Sequence, residues 1–302
     1  MDQYTADVKI WLDARFRECD PDGVYFAHQP IYGFRKGHCE PGWLSRYVIT
    51  HAILRALVRV PARSFLDVGG AEGYKAWLVR RVFGIEVRNS DLSAEACRRS
   101  RDIFSVESDE VDSHRLPYED GAFDVVLSSE SIEHVHDYRS AVEELLRVAG
   151  RAAIITVPHD DPESVRRNIE EKVPHGHIHA FDVSSFDYLK KRGLRVIAEK
   201  IQHPLTLRLG AFIDAVPKAA GRRARFLYRA FNLLIPVFRK FIGTDTAARV
   251  LSMDARLCRI LGGYQGIVFI VLKGDSELKP PPAASFAARE VLEASVPLHY
   301  PR

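Results

Sequence analysis

Three stretches hold residue types at spacings that can do chemistry. Ser64-Phe65-Leu66-Asp67-Val68-Gly69-Gly70-Ala71-Glu72-Gly73 sets two carboxylates, Asp67 and Glu72, around Gly69, Gly70 and Gly73. Glu130-Ser131-Ile132-Glu133-His134 sets two carboxylates and an imidazole at positions i, i+3 and i+4, which share one face of a helical turn. Pro174-His175-Gly176-His177-Ile178-His179 repeats histidine at every second position, so an extended backbone points all three the same way. Two carboxylates with one or two imidazoles form a mixed oxygen and nitrogen set suited to Mg²⁺, Mn²⁺ or Zn²⁺. Without a metal, His134 or His179 is the best candidate general base.

These groups need a scaffold to position them. Phe65, Leu66 and Val68 make the short apolar run of a buried parallel strand. The glycines let the backbone turn sharply and approach a ligand. Residues 72–83 then have helical spacing, with Trp77, Leu78, Val79 and Val82 apolar. A strand, glycine turn and helix usually mark a nucleotide site. The acids at this turn would repel a diphosphate and suit a ligand bearing an ammonium and a sulfonium. S-adenosylmethionine is such a ligand, and a nicotinamide dinucleotide is not. Further strands are expected at 85–89, 107–111, 123–128, 151–157, 194–201 and 266–273, with helices at 93–103, 138–148 and 184–192. The alternation calls for a parallel α/β sheet with helices on both faces. Asp67, Asp91, Asp112 and Glu130 all fall at the carboxyl ends of strands, where ligands meet such sheets. Asp91, about 24 residues after Asp67, is placed where an acid holds ribose hydroxyls. Asp112 and Ser113 follow the third strand, and His159, Asp160 and Asp161 follow the fifth, either facing substrate or forming a solvated loop.

The glycine turn, Asp91, Asp112 and the turn Leu116-Pro117-Tyr118-Glu119-Asp120-Gly121 resemble the class I S-adenosylmethionine-dependent methyltransferases, in particular the group that includes the ubiquinone-pathway O-methyltransferases. The resemblance spans residues 60–200 and the last strand. It implies a Rossmann-like mixed sheet of seven strands whose last two strands are antiparallel. It places Asp67 and Gly69 by the methionine end of the cofactor, Asp91 by the ribose and Asp112 by the adenine amino group. Ala71 departs from it, since the family often has glycine there, and a shifted loop is expected. The Glu-x-x-Glu-His pattern with a downstream histidine also resembles metal-assisted O-methylating enzymes, among them the small-RNA 2′-O-methyltransferases. Carried over, the ligands are Glu130, Glu133, His134 and one of His175, His177 or His179, with His177 best spaced. Relatives with a similar pattern and no metal leave the histidine-base reading open.

The 302 residues carry a formal charge of +3, too small for the whole-molecule field to identify a partner. Cys19, Cys39, Cys97 and Cys258 form no CxxC pair, which suggests reduced thiols and a cytoplasmic setting. No apolar run reaches the ~18 residues of a membrane-spanning helix. Residues 1–60 are expected to form an N-terminal helical extension, with helices at 8–16 and 43–60 and with Tyr32 and Arg46 either packing the extension onto the domain, the favoured reading, or acting as lid residues. Residues 61–202 and 263–275 are the expected cofactor-binding domain, 203–262 a helical insertion and 276–302 a peripheral tail. Between 215 and 244 the insertion has seven Lys or Arg and no acid. A basic amphipathic helix there can cap the domain, meet an anionic membrane or, less favourably, receive RNA. The expected function is methyl transfer to a hydroxyl of a small-molecule, glycan or lipid-linked acceptor. The alternatives are metal-independent O, N or C transfer with a histidine base, and a non-catalytic binding protein of the same fold.

Overall fold

The structure, a computed structural model, describes residues 2–32, 43–202, 263–281, 290–291 and 294–301. The expected insertion at 203–262 lies outside the described residues, and so does part of the tail. The described residues divide into two compact units. One holds Met1–Glu18, Ile53–Ile201 and Gln265–Pro281; the other holds Cys19–Ala52, Gln202–Tyr264 and Pro282–Arg302. The 1–60 stretch is therefore shared between them.

The first unit contains the sheet. Its strands are β1 (Ser64–Val68), β2 (Glu86–Asp91), β3 (Ser108–Glu110), β4 (Phe123–Ser129), β5 (Ala149–Pro158), β6 (Arg195–Gln202) and β7 (Tyr264–Leu272), the last entering from the second unit at Tyr264. Their order is β3-β2-β1-β4-β5-β7-β6. β1 pairs parallel with both β2 and β4, β4 pairs parallel with β5, and β7 runs antiparallel to β5 with Ile155 opposite Phe269. The sheet is thus the mixed seven-stranded one expected. Phe65, Leu66, Val125, Val126, Leu127, Ile154, Ile155 and Phe269 are fully buried, which is why the central strands read as continuous apolar runs. The chain leaves β1 toward β2 and β3, then returns to β4 on its other side. The crevice at the carboxyl ends of β1 and β4 is therefore the topological switch point where such sheets bind ligands.

The helices are α1 (Gln3–Phe16), α2 (Trp43–Leu57), α3 (Tyr74–Phe83), α4 (Ala94–Phe104), α5 (Tyr138–Val148), α6 (Pro162–Glu170) and α7 (Asp187–Lys190). Local chemistry explains where they start. The Ser93 hydroxyl accepts the Ala96 N–H to cap α4, and Asp137 accepts from Arg139 and Ser140 to cap α5. α1 begins five residues before the expected Val8, because the Asp2 carboxylate caps it through the Thr5 N–H. α6 was not expected, although Asp161 at the N-cap and Pro162 in the first turn are helix-start signals. The helix expected at 184–192 shrinks to α7. Asp182 accepts from the Ser184 N–H and hydroxyl, and the Ser185 hydroxyl accepts the Asp182 N–H, so a local turn competes with the helix.

In the second unit, Tyr25 N–H donates to His299 O and Val296 N–H donates to Ile31 O. Tyr32 is buried and donates its hydroxyl to Tyr25 O. Among the described residues, no helix is long and apolar enough to cross a membrane.

Candidate active site

The turn after β1 is built by polar residues as much as by glycine. Gly69 holds a left-handed φ of 72°. Gly70 leaves no room for a side chain, since a Cβ there would collide with the Asn89 amide oxygen and the Asp67 carboxylate. Asn89, buried on β2, donates to Ala71 O and to the Ser108 hydroxyl, tying the turn to β3. Asp91, at the end of β2, accepts from the Ala71 N–H through one oxygen and from the Ser93 N–H through the other, both at 2.9 Å. Gly73, at φ 80°, then caps α3. Ala71 itself sits at φ 49°, a left-handed conformation that disfavours any residue with a Cβ. The methyl group of Ala71 is thus accommodated in a strained backbone conformation.

Asp67 is fully buried, and neither carboxylate oxygen has a hydrogen-bond partner. Burial pushes its pKa up to about 6, opposed by the nearby Lys75 ammonium and helped by Asp91. A desolvated carboxylate with no donor is costly unless a cation or donor arrives. At the far end of the crevice, Asp112 accepts from the His114 N–H and its imidazole Nδ1. Ser113 lies beside it, partly exposed.

The second cluster follows β4. Here the helical face expected for residues 130–134 does not form. Only Ile132–His134 makes a short 3-10 turn, and Glu130 precedes it at φ 52°. Thr156 on β5 holds Glu130 instead, its hydroxyl donating to Oε1 at 3.0 Å and its carbonyl accepting the Glu130 N–H at 3.0 Å. Glu133, His134 and His177 come together, each offering a ligand atom within 4.8 Å of the others. Glu130 stands outside that set. Glu133 is fully buried, and neither of its side-chain oxygens has a hydrogen-bond partner. His134 Nε2 lies 3.9 Å from Glu133 Oε1, while its Nδ1 faces Gly176 O at 3.2 Å. Burial, helped by Glu130 and Asp160, raises the Glu133 pKa well above the usual carboxylate range. Burial also lowers the His134 pKa well below its ordinary value, and His175 and His177 add to this. At neutral pH His134 is an uncharged imidazole with a lone pair to offer.

The three downstream histidines divide. His175 stacks on His134 with ring centroids 3.7 Å apart, and Trp11 of α1 stacks on His175 at 5.0 Å. His177 meets His134 edge-on at 4.7 Å, and its Nδ1 lies 2.5 Å from Asp160 Oδ2. His179 turns away to Val135 O and the ring of Tyr138. α1 closes over this corner, with the Tyr4 hydroxyl donating to His134 O. Asp13 of α1 also accepts from the Ser93 hydroxyl at the start of α4. The sequence reading missed Asn89, Tyr4 and Trp11, and it placed Asp160 after the fifth strand without joining it to His177. β2 is polar along most of its length, so nothing local marked Asn89, and nothing local marked Tyr4 or Trp11.

Residues 66–156 match the family described as a methyltransferase domain. The chain is 33% identical over 102 residues to norajmaline N-methyltransferase of Rauvolfia serpentina, covering 32% of this chain and 35% of that protein. It is 35% identical over 107 residues to the chloroplastic tocopherol O-methyltransferase of Arabidopsis thaliana, covering 32% of this chain and 31% of that protein. It thus spans about a third of the length of these relatives. In fold it is similar to geranyl diphosphate C-methyltransferase from Streptomyces coelicolor A3(2), at TM-score 0.51 and 16% identity, covering 90% of this chain and 98% of that one.

Proposed function

We propose that the chain, whose residues 66–156 match a methyltransferase domain, is a class I S-adenosylmethionine-dependent methyltransferase that transfers the methyl group of this cofactor to a hydroxyl oxygen of a small-molecule, glycan or lipid-linked acceptor. The observation that carries the reading is the fully buried, unpartnered carboxylate of Asp67 at the carboxyl end of β1. An ammonium at this point supplies the missing donor, whereas a pyrophosphate adds a second negative charge. In this reading Asp67 and the backbone of Gly69, Gly70 and Gly73 hold the methionine end, Asp91 the ribose, and Asp112 with Ser113 the adenine end. Isothermal calorimetry tests it: S-adenosylhomocysteine should bind, NAD should not, and the reverse result refutes it. Turnover of labelled S-adenosylmethionine with any acceptor then separates an enzyme from a binding protein of the same fold.

The donor set at Glu133, His134 and His177 fits a divalent cation. A fully buried carboxylate with both oxygens unpartnered faces an imidazole that is uncharged at neutral pH. One carboxylate with two imidazoles favours Mn²⁺ or Zn²⁺ over Mg²⁺. A cation there supplies the Lewis acidity that lowers the pKa of an acceptor hydroxyl. The chain's own residues do the rest: Thr156 keeps Glu130 aside, and the Trp11–His175–His134 stack walls the cluster. A metal-independent base is favoured by one observation. His179 Nε2 lies 2.8 Å from Val135 O, which makes it the donor and leaves Nδ1 to accept a proton. Loss of turnover to a chelator, restored by Mn²⁺, distinguishes the two. We infer a cytoplasmic setting and read the basic stretch 215–244 first as a cap on the domain, then as a peripheral membrane contact and last as an RNA site.

A further inference from the structure

Asp160 follows β5 and precedes α6, and has no place in the donor set above. Its Oδ2 lies 2.5 Å from His177 Nδ1. The His177 backbone is fixed as well, because the Asn168 amide donates to His177 O at 3.2 Å from α6. The two imidazoles of the cluster therefore follow one pattern. Each has an oxygen at Nδ1, Gly176 O for His134 and Asp160 for His177. In each, Nε2 is the nitrogen left to offer. For His134 that nitrogen is the one facing Glu133. A histidine that binds a cation through one nitrogen needs its other N–H held by an acceptor, which sets the tautomer and the ring orientation.

We propose that Asp160 is the positioning residue of the Glu133–His134–His177 cluster, holding the proton of His177 on Nδ1 so that Nε2 is presented as a cation ligand. The inference rests on the divalent-cation reading given above. In this reading Asp160 acts through His177. Its bond to His177 ties the segment between β5 and α6 to the histidine segment, whose Ile178 N–H donates to Glu133 O.

The test uses the full chain, stripped of metal and titrated with Co²⁺, whose visible absorption reports ligation directly. Wild type is expected to bind one equivalent. Asp160→Ala should bind about 10- to 100-fold more weakly, the usual cost of removing an outer-shell partner. Asp160→Asn, whose amide oxygen can still accept the Nδ1–H, should fall between them, and Asp161→Ala should match wild type. Nitrogen-detected NMR of the metal-free protein should show His177 protonated on Nδ1 in wild type and shifted toward Nε2 in Asp160→Ala. Should Asp160→Ala fold poorly, Asp160→Asn supplies both readouts. Equal Co²⁺ affinity and an unchanged tautomer in the variants overturn the role of Asp160 alone. Absence of Co²⁺ binding by wild type overturns the divalent-cation reading, and the positioning role with it.

Discussion

Replacing Asp67 with asparagine separates the two things this carboxylate does. In the folded protein burial holds its pKa at about 6, against an ordinary value of 3.8. The folded state therefore keeps a proton that the unfolded chain releases, and between these two pH values stability falls as pH rises. Below pH 3.8 both states are protonated and the group costs nothing. Above pH 6 both are ionised and the full penalty applies. A shift of about 2 units corresponds to ~3 kcal/mol, an upper figure because it assumes no relaxation around the charge. The asparagine removes a charge that has no donor, so the cofactor-free variant should be more stable than wild type by up to this amount at pH 7.5. At ~2 °C per kcal/mol for a chain of this size, its melting temperature should rise by about 5 °C. The gain should shrink at pH 5 and vanish near pH 4. Binding should move the other way. Losing a charged partner for the donor's ammonium costs ~1.5–3 kcal/mol, or about 10- to 100-fold in affinity for S-adenosylhomocysteine. Differential scanning fluorimetry across pH 4–8 and calorimetry at pH 7.5 give both numbers. A variant no more stable than wild type at pH 7.5, with an unchanged pH profile, refutes the claim that this carboxylate is buried without a partner. A variant that binds the cofactor as well as wild type refutes its place in the site.

Gly70→Ala should drive a methyl group into Asn89 and Asp67, lowering stability by about 1–3 kcal/mol and weakening cofactor binding, read by denaturant melts and calorimetry. Ala71→Gly should relieve the left-handed strain at φ 49° and raise the denaturation midpoint by the equivalent of ~1 kcal/mol, with cofactor affinity unchanged. Ser93→Ala removes both the α4 cap and the bond to Asp13 on α1, and should cost about 1–2 kcal/mol in a urea melt. Mn²⁺ should raise the melting temperature of wild type and leave Glu133→Gln unmoved, because only the wild-type cluster has a carboxylate for the ion to stabilise.

What could be read from the chain before its structure follows a physical line. β4, β5 and β7 are largely buried and carry apolar runs, and β1 carries Phe65, Leu66 and Val68 around Asp67, a signal that survives without context. The acids at their carboxyl ends were placed by counting from those runs. Contacts set by topology were not legible. His177 and Asp160 are 17 residues apart and meet only because α6 folds the chain back. Trp11 reaches His175 only because α1 docks on α4. The reading of residues 130–134 as one helical face failed for a related reason. Spacing alone gives a helix, but Thr156 on the neighbouring strand claims Glu130 and forces it left-handed before the turn begins.

That forced conformation bears on how the site is divided. Ala71 and Glu130 are both left-handed residues with a Cβ, one on each side of the crevice between β1 and β4. Strain of this kind costs about 1–3 kcal/mol and persists only where surrounding bonds over-determine it. At Ala71 those bonds are to Asn89 and Asp91, and they hold the glycine turn open to a cofactor. At Glu130 they are to Thr156, which holds both its N–H and its carboxylate. Had residues 130–134 formed a regular helical turn, Glu130 and Glu133 would share a face and both would join the donor set proposed above. The strained turn instead leaves Glu133 with two imidazoles, a donor set of one oxygen and two nitrogens. In the divalent-cation reading proposed above, the backbone at residue 130 thus bears on cation preference alongside the residue types around it.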